Sequence, residues 1–323
     1  MSFKPFEQKL LAKGYERVAG IDEAGRGPLA GPVAAAAVVL GKDIPDGLND
    51  SKKLSESRRE ELFESLTNSD CDFGVGFVDQ FEIDRINILQ ATVLAMKRAI
   101  GALKHRPEYL LVDGKYLPDF IYPASAITQG DAKCQSIAAA SIIAKVSRDR
   151  IMKQIHTFFP EYGFAKHKGY GTKQHMDAIL HHGPTPIHRL TFGGVREHLP
   201  KLRSQRKALG KWGEDYACLH LWQKGATMVH RNFHASNEAE LDIVVMLNGS
   251  LRFIEVKTGY SKDFSHPEEW VDSKKQEKIY QASEYFLYTH SKFQNIPCQF
   301  DLAAIEVNNG RTKVRYYENA FGY

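Results

Sequence analysis

The sequence predicts an α/β protein of two domains, and three features of the chain support this. Short apolar runs suited to buried strands alternate with segments whose apolar residues recur at helical spacing. The length of 323 residues suits two domains better than one. Between residues 196 and 211, six basic residues accompany one acid and Pro200 interrupts the segment, as in a linker. We expect domains at residues 1–200 and 201–323.

The composition is that of an ordinary soluble globular protein, with 43% hydrophobic and 25% charged residues. A net charge of +4 permits nucleic-acid binding without demanding it. The four cysteines are scattered without a CxxC pair, which disfavours a zinc site or a disulfide framework. The apolar run at 33–40 is too short to cross a bilayer, and the N-terminus lacks a signal-peptide core. We therefore expect a cytoplasmic protein without a membrane partner.

The first domain is predicted to open with two strands separated by a glycine-rich turn. The second of them is almost entirely Ala and Val, which is typical of a strand covered on both faces. Ser55 is a candidate N-cap for the helix that follows. In chain order, the predicted elements are strands 17–23 and 32–40, helix 55–67, strand 73–78, helix 87–104, strands 109–114 and 121–128, a long helix opened by Gly130 and Asp131, and helix 173–181.

The second domain is predicted to combine two helices with a hairpin and further strands. Asn248-Gly249 indicates a hairpin, because both central positions of that turn need a positive φ. A second Asn-Gly pair stands at 309–310. The predicted elements are helix 208–224, strands 228–233, 241–247 and 251–256, helix 273–290, and strands 299–307 and 313–317.

The strongest chemical signal is a pair of adjacent acids at the end of the first strand. Side chains of neighbouring strand residues point to opposite faces, so Asp22 and Glu23 cannot both face solvent. A buried carboxylate is costly unless it is paired, hydrogen-bonded or bound to a metal. The following Gly-Arg-Gly turn lets backbone amides approach a ligand, and Arg26 can fork onto a phosphate. The stretch predicts a metal-dependent phosphodiester site.

Two further acids stand where elements of the first domain end or begin. Asp113 ends a buried strand, and Asp131 stands at the predicted start of the long helix. With Asp22 and Glu23 they could converge at one sheet edge and bind two divalent cations, Mg²⁺ or Mn²⁺. The alternative for any single acid of this kind is a solvated loop residue.

These motifs occur in the order found in type 2 ribonuclease H, which residues 10–200 closely resemble. The matching segments are Asp22-Glu23-Ala24-Gly25-Arg26-Gly27-Pro28, Leu111-Val112-Asp113-Gly114, Gly130-Asp131-Ala132-Lys133, Ser136-Ile137-Ala138-Ala139-Ala140-Ser141-Ile142 and Lys168-Gly169-Tyr170-Gly171-Thr172.

The resemblance to ribonuclease HII implies an RNase H-like mixed sheet flanked by helices. It implies two-metal hydrolysis of the RNA strand in RNA–DNA hybrids, and incision at ribonucleotides embedded in duplex DNA. The implied metal ligands are Asp22, Glu23, Asp113 and Asp131. The implied readers of the RNA–DNA junction are Gly25, Arg26, Gly27 and Tyr170, since amides beside glycines can bind a 2′-hydroxyl and a tyrosine ring can stack on a sugar.

Several other polar residues of the first domain remain open. Candidate phosphate contacts are Lys52, Lys53, Lys145, His167 and Lys168, and each could equally be a solvated surface charge. Asp149 competes for the fourth ligand position, but lies more than four helical turns beyond Asp131 along the predicted helix. The histidines at 181, 182 and 188 do not form a convincing metal-ligand pattern.

A second acidic pattern lies beyond residue 205. Glu255 and Lys257 are two apart on a predicted strand and share a face, and Asp242 lies on the partner strand of the hairpin. Two acids that hold a metal beside a lysine form a nuclease arrangement, with Glu214 as a possible supporting acid.

Residues 205–323 resemble the YraN (UPF0102) family of PD-(D/E)xK nuclease-like domains. The resemblance implies a smaller α/β, restriction-endonuclease-like fold, with Asp242 and Glu255 as metal ligands and Lys257 as the catalytic lysine. The family's usual glycine before the acidic pair is Ala239 here. Nuclease activity and nucleic-acid binding alone both remain open for this segment. For the whole chain, the alternative to an enzyme is a non-catalytic nucleic-acid-binding protein. The sequence identifies no protein partner.

Overall fold

The computed structural model describes residues 6–49, 51–236, 239–260, 270–308 and 311–322. The chain divides into two compact units. The first comprises 1–154, 163–177 and 188–196, and the second comprises 155–162, 178–187 and 197–323. Each unit contains a mixed five-stranded sheet with helices beside it, which confirms the predicted α/β class.

The described residues up to 196 form five strands and six helices, joined by loops and short 3₁₀ turns. The strands are β1 (Val18–Ala24), β2 (Val33–Val39), β3 (Asp72–Val78), β4 (Tyr109–Asp113) and β5 (Ala124–Ile127). The helices are α1 (Phe6–Leu11), α2 (Glu56–Thr67), α3 (Gln80–Gly101), α4 (Gln135–Phe158), α5 (Phe164–His167) and α6 (Lys173–His182).

The strand order of the first sheet brings two acid-bearing strand ends together. The order is β3-β2-β1-β4-β5, and β1 runs parallel to β4 but antiparallel to β2. Ile21 pairs with Val112, so the next residue on each strand is an acid, Asp22 and Asp113. Parallel neighbours end at the same sheet edge, which places these two acids side by side.

Helices cover both faces of this sheet, as the Ala-rich second strand predicts. Ala35 and Ala37 are fully buried in a cluster with α3, whereas Ala36 and Val38 are fully buried in a cluster with α4. Their small side chains let the helices approach closely. At Gly20 on β1, an added Cβ would overlap the backbone at Ser136 of α4.

Two helix starts differ from the sequence prediction. Helix α3 begins at Gln80, with Asp79 as its N-cap, instead of at Asn87. Asn87 has a φ of 69° and interrupts the helix, and its side chain accepts hydrogen bonds from the amides of Leu89 and Gln90. The apolar period therefore begins at Asn87 because this residue caps the second segment of the helix.

The second correction concerns Asp131, which does not open the long helix. It lies in a 3₁₀ turn, Gly130–Ala132, and α4 starts only at Gln135. The left-handed conformation of Gln129, with a φ of 58°, precedes this turn. The turn belongs to the end of the sheet, so Asp131 is positioned by the loop that follows β5.

Beyond residue 196, the described residues form a second sheet with two principal helices. The elements are α7 (Arg206–Gln223), β6 (Thr227–His234), β7 (Glu240–Leu247), β8 (Ser250–Gly259), α8 (Ser273–Thr289), β9 (Cys298–Asn308) and β10 (Arg311–Phe321). The strand order is β10-β9-β8-β7-β6, with only β8 and β9 parallel among the neighbouring pairs. All three tryptophans of the chain, Trp212, Trp222 and Trp270, fall in this unit.

The predicted hairpin between β7 and β8 is confirmed. Asn248 and Gly249 have φ values of 52° and 77°, the positive values that this turn needs. The second Asn-Gly pair, at 309–310, lies outside the described residues. Gly213 of α7 faces Thr258 of β8 so closely that an added Cβ would overlap its side chain. In the described part of the chain, no helix is both long and apolar enough to span a membrane.

Candidate active sites

Asp22 is the most deeply buried acid at the edge of the first sheet, with an exposed fraction of 6%. Its Oδ1 accepts a hydrogen bond of 2.7 Å from the Glu23 amide, and Ser141 of α4 hydrogen-bonds to its carboxylate. Burial, followed by the charges of Glu23 and Asp113, raises the pKa of Asp22 well above its ordinary value. The ionised carboxylate is therefore costly in the absence of a cation.

The other acids of this edge are held by different contacts. Burial raises the pKa of Glu23, although Arg26 opposes the rise from 3.3 Å away. The Oδ1 atom of Asp113 accepts a 2.6 Å hydrogen bond from the Gly130 amide, which ties the end of β4 to the turn that carries Asp131. Asp131 itself is buried. The charges of Asp22 and Glu23 thus each interact with that of Asp113. Asp131 directly follows Gly130, whose amide binds Asp113.

The donor chemistry of this edge fits Mg²⁺ or Mn²⁺. Both are hard cations that prefer carboxylate oxygens, and the burial and neighbouring acids that raise the pKa of Asp22 are both offset by a bound cation. Within the described ranges, no group of three or more His, Cys, Asp or Glu side chains meets the geometry of a metal site. The assignment of individual ligands therefore stays a prediction.

The Gly-Arg-Gly turn and Tyr170, expected to act together, lie next to each other. Gly25 has a φ of 94° and is buried, whereas Arg26 and Gly27 are exposed. A Cβ built on Gly27 would lie 3.7 Å from Cε1 of the Tyr170 ring. The two loops are joined because the Leu29 amide donates a 2.8 Å hydrogen bond to the Gly169 carbonyl.

Two fully buried arginines support this turn, and the sequence analysis missed both. Arg148 of α4 donates to the carbonyls of Ala30, Pro32 and Lys168 at 2.8–3.1 Å. Arg189 donates to those of Gly25, Arg26 and Gly31 at 2.5–3.0 Å. Both come from segments distant in sequence from the turn, so no local spacing could have indicated their role.

The candidate phosphate contacts have unequal surroundings. Lys52 is exposed, and its charge acts on Glu23. Lys168 is buried, and its ammonium donates to the Ala165 carbonyl and lies 3.7 Å from Glu56, so it is engaged within the protein. Lys145 lies 5.8 Å from the centroid of the Tyr170 ring.

The structure also places Asp149 and the histidines that the sequence singled out. Asp149 is buried and pairs with Lys145 at 2.9 Å, which accounts for its charge without a metal. His181 and His182 form the last turn of α6, whereas His188 is buried with Nε2 3.0 Å from Nε2 of His175. Burial lowers the pKa of His175 to about 4, so this ring is neutral near pH 7 and serves as a hydrogen-bonding group of the core.

The second acidic pattern forms one cluster on β7 and β8. Asp242 Oδ2 accepts a 2.7 Å hydrogen bond from the Val256 amide, and Lys257 Nζ donates to Glu255 Oε1 at 2.7 Å. Burial, followed by the charge of Glu255, raises the pKa of Asp242 to about 7. Burial also raises the pKa of Glu214, against the opposing charge of Arg231 at 3.8 Å.

Lys275 of α8 completes this cluster, and the sequence analysis did not identify it. Its ammonium lies 3.1 Å from Glu255 Oε2 and 4.0 Å from Glu240 Oε1. The acids and both lysines line a cleft of about 660 Å³, with Arg203 and Arg206 on its wall. Since Lys275 stands 20 residues beyond Glu255 on a separate helix, strand periodicity gave no sign of it.

Comparison with known proteins agrees with both resemblances. The Ribonuclease HII family model matches residues 19–195, more than half of the chain, and the model described as Uncharacterised protein family UPF0102 matches residues 213–305. Ribonuclease HII of Syntrophotalea carbinolica is 55% identical over 196 residues, which cover 60% of this chain and 93% of that protein. Ribonuclease HII of Geobacter sulfurreducens is 54% identical over 200 residues, with 61% and 92% covered.

Among solved structures, the ribonuclease H2 of Pyrococcus horikoshii aligns with 58% of this chain and 100% of its own, at 30% identity and a TM-score of 0.49. The family match and the high coverage of the bacterial relatives carry the assignment. The chain belongs to the ribonuclease HII family and is a ribonuclease H enzyme, an endoribonuclease for RNA–DNA hybrids.

Proposed function

We propose that the first unit cleaves with the help of two divalent cations and also incises at single ribonucleotides embedded in duplex DNA. The observation that carries the proposal is the group of mutually repelling acids at the ends of β1 and β4, where the pKa of buried Asp22 is raised. Such a group favours cation binding because a cation offsets both the burial and the repulsion.

The cations would be Mg²⁺ or Mn²⁺, held by Asp22, Glu23, Asp113 and Asp131. Bound there, they would supply activation of water and stabilisation of the leaving 3′ oxygen. The chain itself holds the ligands in place. Ser141 and the Glu23 amide orient Asp22, and the Gly130 amide orients Asp113.

Substrate recognition is proposed for the turn beside these acids. The amides of Arg26 and Gly27 would bind the 2′-hydroxyl that separates RNA from DNA, and Tyr170 would stack on the adjacent sugar. The closeness of the two loops, in which a Cβ added at Gly27 would lie 3.7 Å from the Tyr170 ring, supports their joint action. Lys52 is the favoured phosphate contact, since it is exposed and its charge acts on Glu23 at the acidic edge, whereas Lys168 is buried.

The test is cleavage of a DNA duplex that carries one ribonucleotide, with Mg²⁺, by wild type, Asp22→Asn and Asp46→Asn. We expect wild type and the exposed control Asp46→Asn to cut at the ribonucleotide and Asp22→Asn to be inactive. An inactive wild type, or equal cutting by Asp22→Asn, contradicts the proposal. Binding without any cleavage, with an affinity that falls with salt and ignores metal, supports the non-catalytic alternative.

For the second unit we propose a separate nucleic-acid site, either a DNA nuclease or a binding module. Asp242 and Glu255 would hold a metal and Lys257 would act on the phosphate, with Arg203 and Arg206 of the cleft wall attracting the backbone. Lys257→Ala should leave incision at a ribonucleotide unchanged, because that variant removes a group of the second site only. Loss of that incision would show that the two sites are not independent.

The two alternatives for the second unit differ in one measurement. Flapped, branched and single-stranded DNAs are incubated with full-length Asp22→Asn, in which the first site is disabled, and Mn²⁺. Cleavage that Lys257→Ala abolishes indicates a nuclease, whereas a salt-sensitive shift without cleavage indicates a binding module.

We also propose a domain boundary and a cellular role for the protein. The functional boundary is proposed near residue 200, with residues 1–200 and 201–323 as the two domains. A place in ribonucleotide excision repair in the cytoplasm is consistent with the proposed incision and with the scattered cysteines. The boundary can be tested by limited proteolysis, which should cut between 196 and 211 before it cuts elsewhere in the described loops.

A further inference from the structure

Arg148 and Arg189 bind main-chain carbonyls on both sides of the substrate-reading turn. Their guanidinium groups donate hydrogen bonds to six main-chain carbonyls, five within Gly25–Pro32 and one at Lys168. The Lys168 carbonyl precedes Gly169 and Tyr170 by one and two residues. The arginines therefore join the turn to the loop that carries the tyrosine.

This arrangement is expensive for a purely structural device. Both guanidinium groups are fully buried. Burial lowers the pKa of Arg148 to about 10 and that of Arg189 to about 9, and the two positive charges oppose each other at Arg189. A buried ion needs good hydrogen bonds to offset its lost hydration. Carbonyl groups supply them here, which makes the positions of those carbonyls a condition for burying the charges.

The contacts of Arg189 also determine where the amides of the turn point. In a trans peptide, the C=O of one residue and the N–H of the next lie on opposite sides of the plane, and the described chain has no cis peptide. Arg189 binds the carbonyls of Gly25 and Arg26 at 2.5 and 2.8 Å. The N–H groups of Arg26 and Gly27 are consequently directed away from the guanidinium.

We propose that Arg148 and Arg189 are positioning residues that hold the Arg26 and Gly27 amides and Tyr170 in register for the 2′-hydroxyl. This inference rests on the proposed reading of the ribonucleotide by that turn. Lysine keeps the charge but has a single ammonium in place of the planar fork, so it cannot bind the same carbonyls together. An arginine-to-lysine change should thus loosen discrimination without removing any group that contacts the substrate.

The experiment measures discrimination as a ratio that does not depend on the amount of active enzyme. KM is determined for a duplex with one ribonucleotide, and Ki is determined for the all-DNA duplex of identical sequence as a competitive inhibitor. We expect the ratio Ki/KM to fall about tenfold in Arg189→Lys and in Arg148→Lys, since charge-assisted hydrogen bonds at the turn are lost. A role in stability alone would lower the maximal rate and leave the ratio unchanged.

Two further variants separate this inference from the proposed function. Arg98→Lys is the matched control, because Arg98 also binds a carbonyl in the first unit, that of Phe77 at 2.6 Å. Gly27→Ala places a methyl group in the turn beside Tyr170. If Gly27→Ala lowers the ratio and both arginine variants retain it, the positioning role is overturned and the reading role stands.

The other outcomes are equally decisive. A ratio unchanged in Gly27→Ala and in both lysine variants overturns the reading of the 2′-hydroxyl by this turn, and the positioning role with it. A fall in Arg98→Lys equal to that of the other two shows a general effect and contradicts the inference. If one lysine variant is insoluble, the Ki/KM ratio of the other variant still tests the inference, because each arginine binds carbonyls of the same turn.

Discussion

The two acid clusters of the chain balance their charge in different ways. At the edge of the first sheet, Asp22 is oriented by a hydroxyl and an amide, and its pKa is raised well above the ordinary value. In the second unit, Lys257 and Lys275 lie 2.7 and 3.1 Å from Glu255. The chain cations near the first cluster, Arg26 and Lys52, act on Glu23, and we propose that cations from solution offset the charge at Asp22. In the second cluster, two lysines of the chain lie beside the buried acid Glu255.

The largest effect that could break this comparison is expected for Asp113→Asn. The change removes one carboxylate from the cluster, and we expect kcat/KM for an RNA–DNA hybrid to fall by about 10³-fold, or about 4 kcal/mol. Asp119→Asn, an exposed acid of the following loop, is the control and should retain activity. Steady-state cleavage checks this, and an Asp113→Asn enzyme within tenfold of wild type would remove Asp113 from the site.

The next effect is stabilisation by metal. At 100 times its dissociation constant, Mg²⁺ or Mn²⁺ should stabilise the first unit by about 2.7 kcal/mol, because a ligand that binds only the folded state shifts the equilibrium. Hydrogen exchange of 18–24 and 109–113 is the measurement, with buffer free of divalent cations as the reference. Asp113→Asn should lose the added protection. Equal protection in that variant would indicate metal binding elsewhere.

A pH effect should distinguish the second cluster. The pKa of Asp242 rises from 3.8 to about 7 on folding, so the stability linked to this group is present below pH 3.8 and is lost as the pH rises through 7. Asp242→Asn should therefore stabilise the metal-free protein at pH 8 by roughly 2 kcal/mol and by less than half of that at pH 5, because the loss in the wild type accumulates between the two pKa values.

Urea unfolding followed by tryptophan fluorescence measures this change, because all three tryptophans belong to the second unit. Glu277→Gln, an exposed acid of α8, is the control and should shift the midpoint at neither pH. A destabilised Asp242→Asn at pH 8 would mean that the hydrogen bond to the Val256 amide outweighs the repulsion from Glu255.

The smallest effect concerns the second lysine of that cluster. Lys275→Met removes an ion pair to buried Glu255 but leaves Lys257 in place, and the Lys275 side chain is 26% exposed. We expect a loss of about 1 kcal/mol in the metal-free protein, measured by the same fluorescence. The exposed neighbour Lys274→Met should show no loss. A gain in stability for Lys275→Met would contradict charge balance by the chain.

Sequence reasoning succeeded where the relevant signal was local. The acids at the ends of β1 and β4, the alanine strand and the Asn248-Gly249 turn are each encoded within a few residues. The meeting of Asp22 and Asp113 also followed, because parallel strands of a buried sheet end at one edge.

It failed where the signal lay in tertiary contacts. Arg148 and Arg189 reach the turn from 116–164 residues away, and Lys275 of helix α8 reaches Glu255 of strand β8. Nothing in the local pattern of an arginine distinguishes a solvated side chain from one buried against carbonyls. The break at Asn87 escaped notice for a related reason, since the apolar spacing on its C-terminal side is regular.

The close approach at Gly20 has a consequence for reading natural variation in this chain. The absent side chain lets α4 lie against β1, and the same helix carries Ser141 to Asp22. A substitution at Gly20 would push the helix outward and separate that pair, although no chemical group of the site had changed. If a saturation mutagenesis screen finds that Gly20 tolerates no other residue, the cause would therefore be the short distance between the backbones of β1 and α4. A second change, to a smaller residue in α4, should then restore activity.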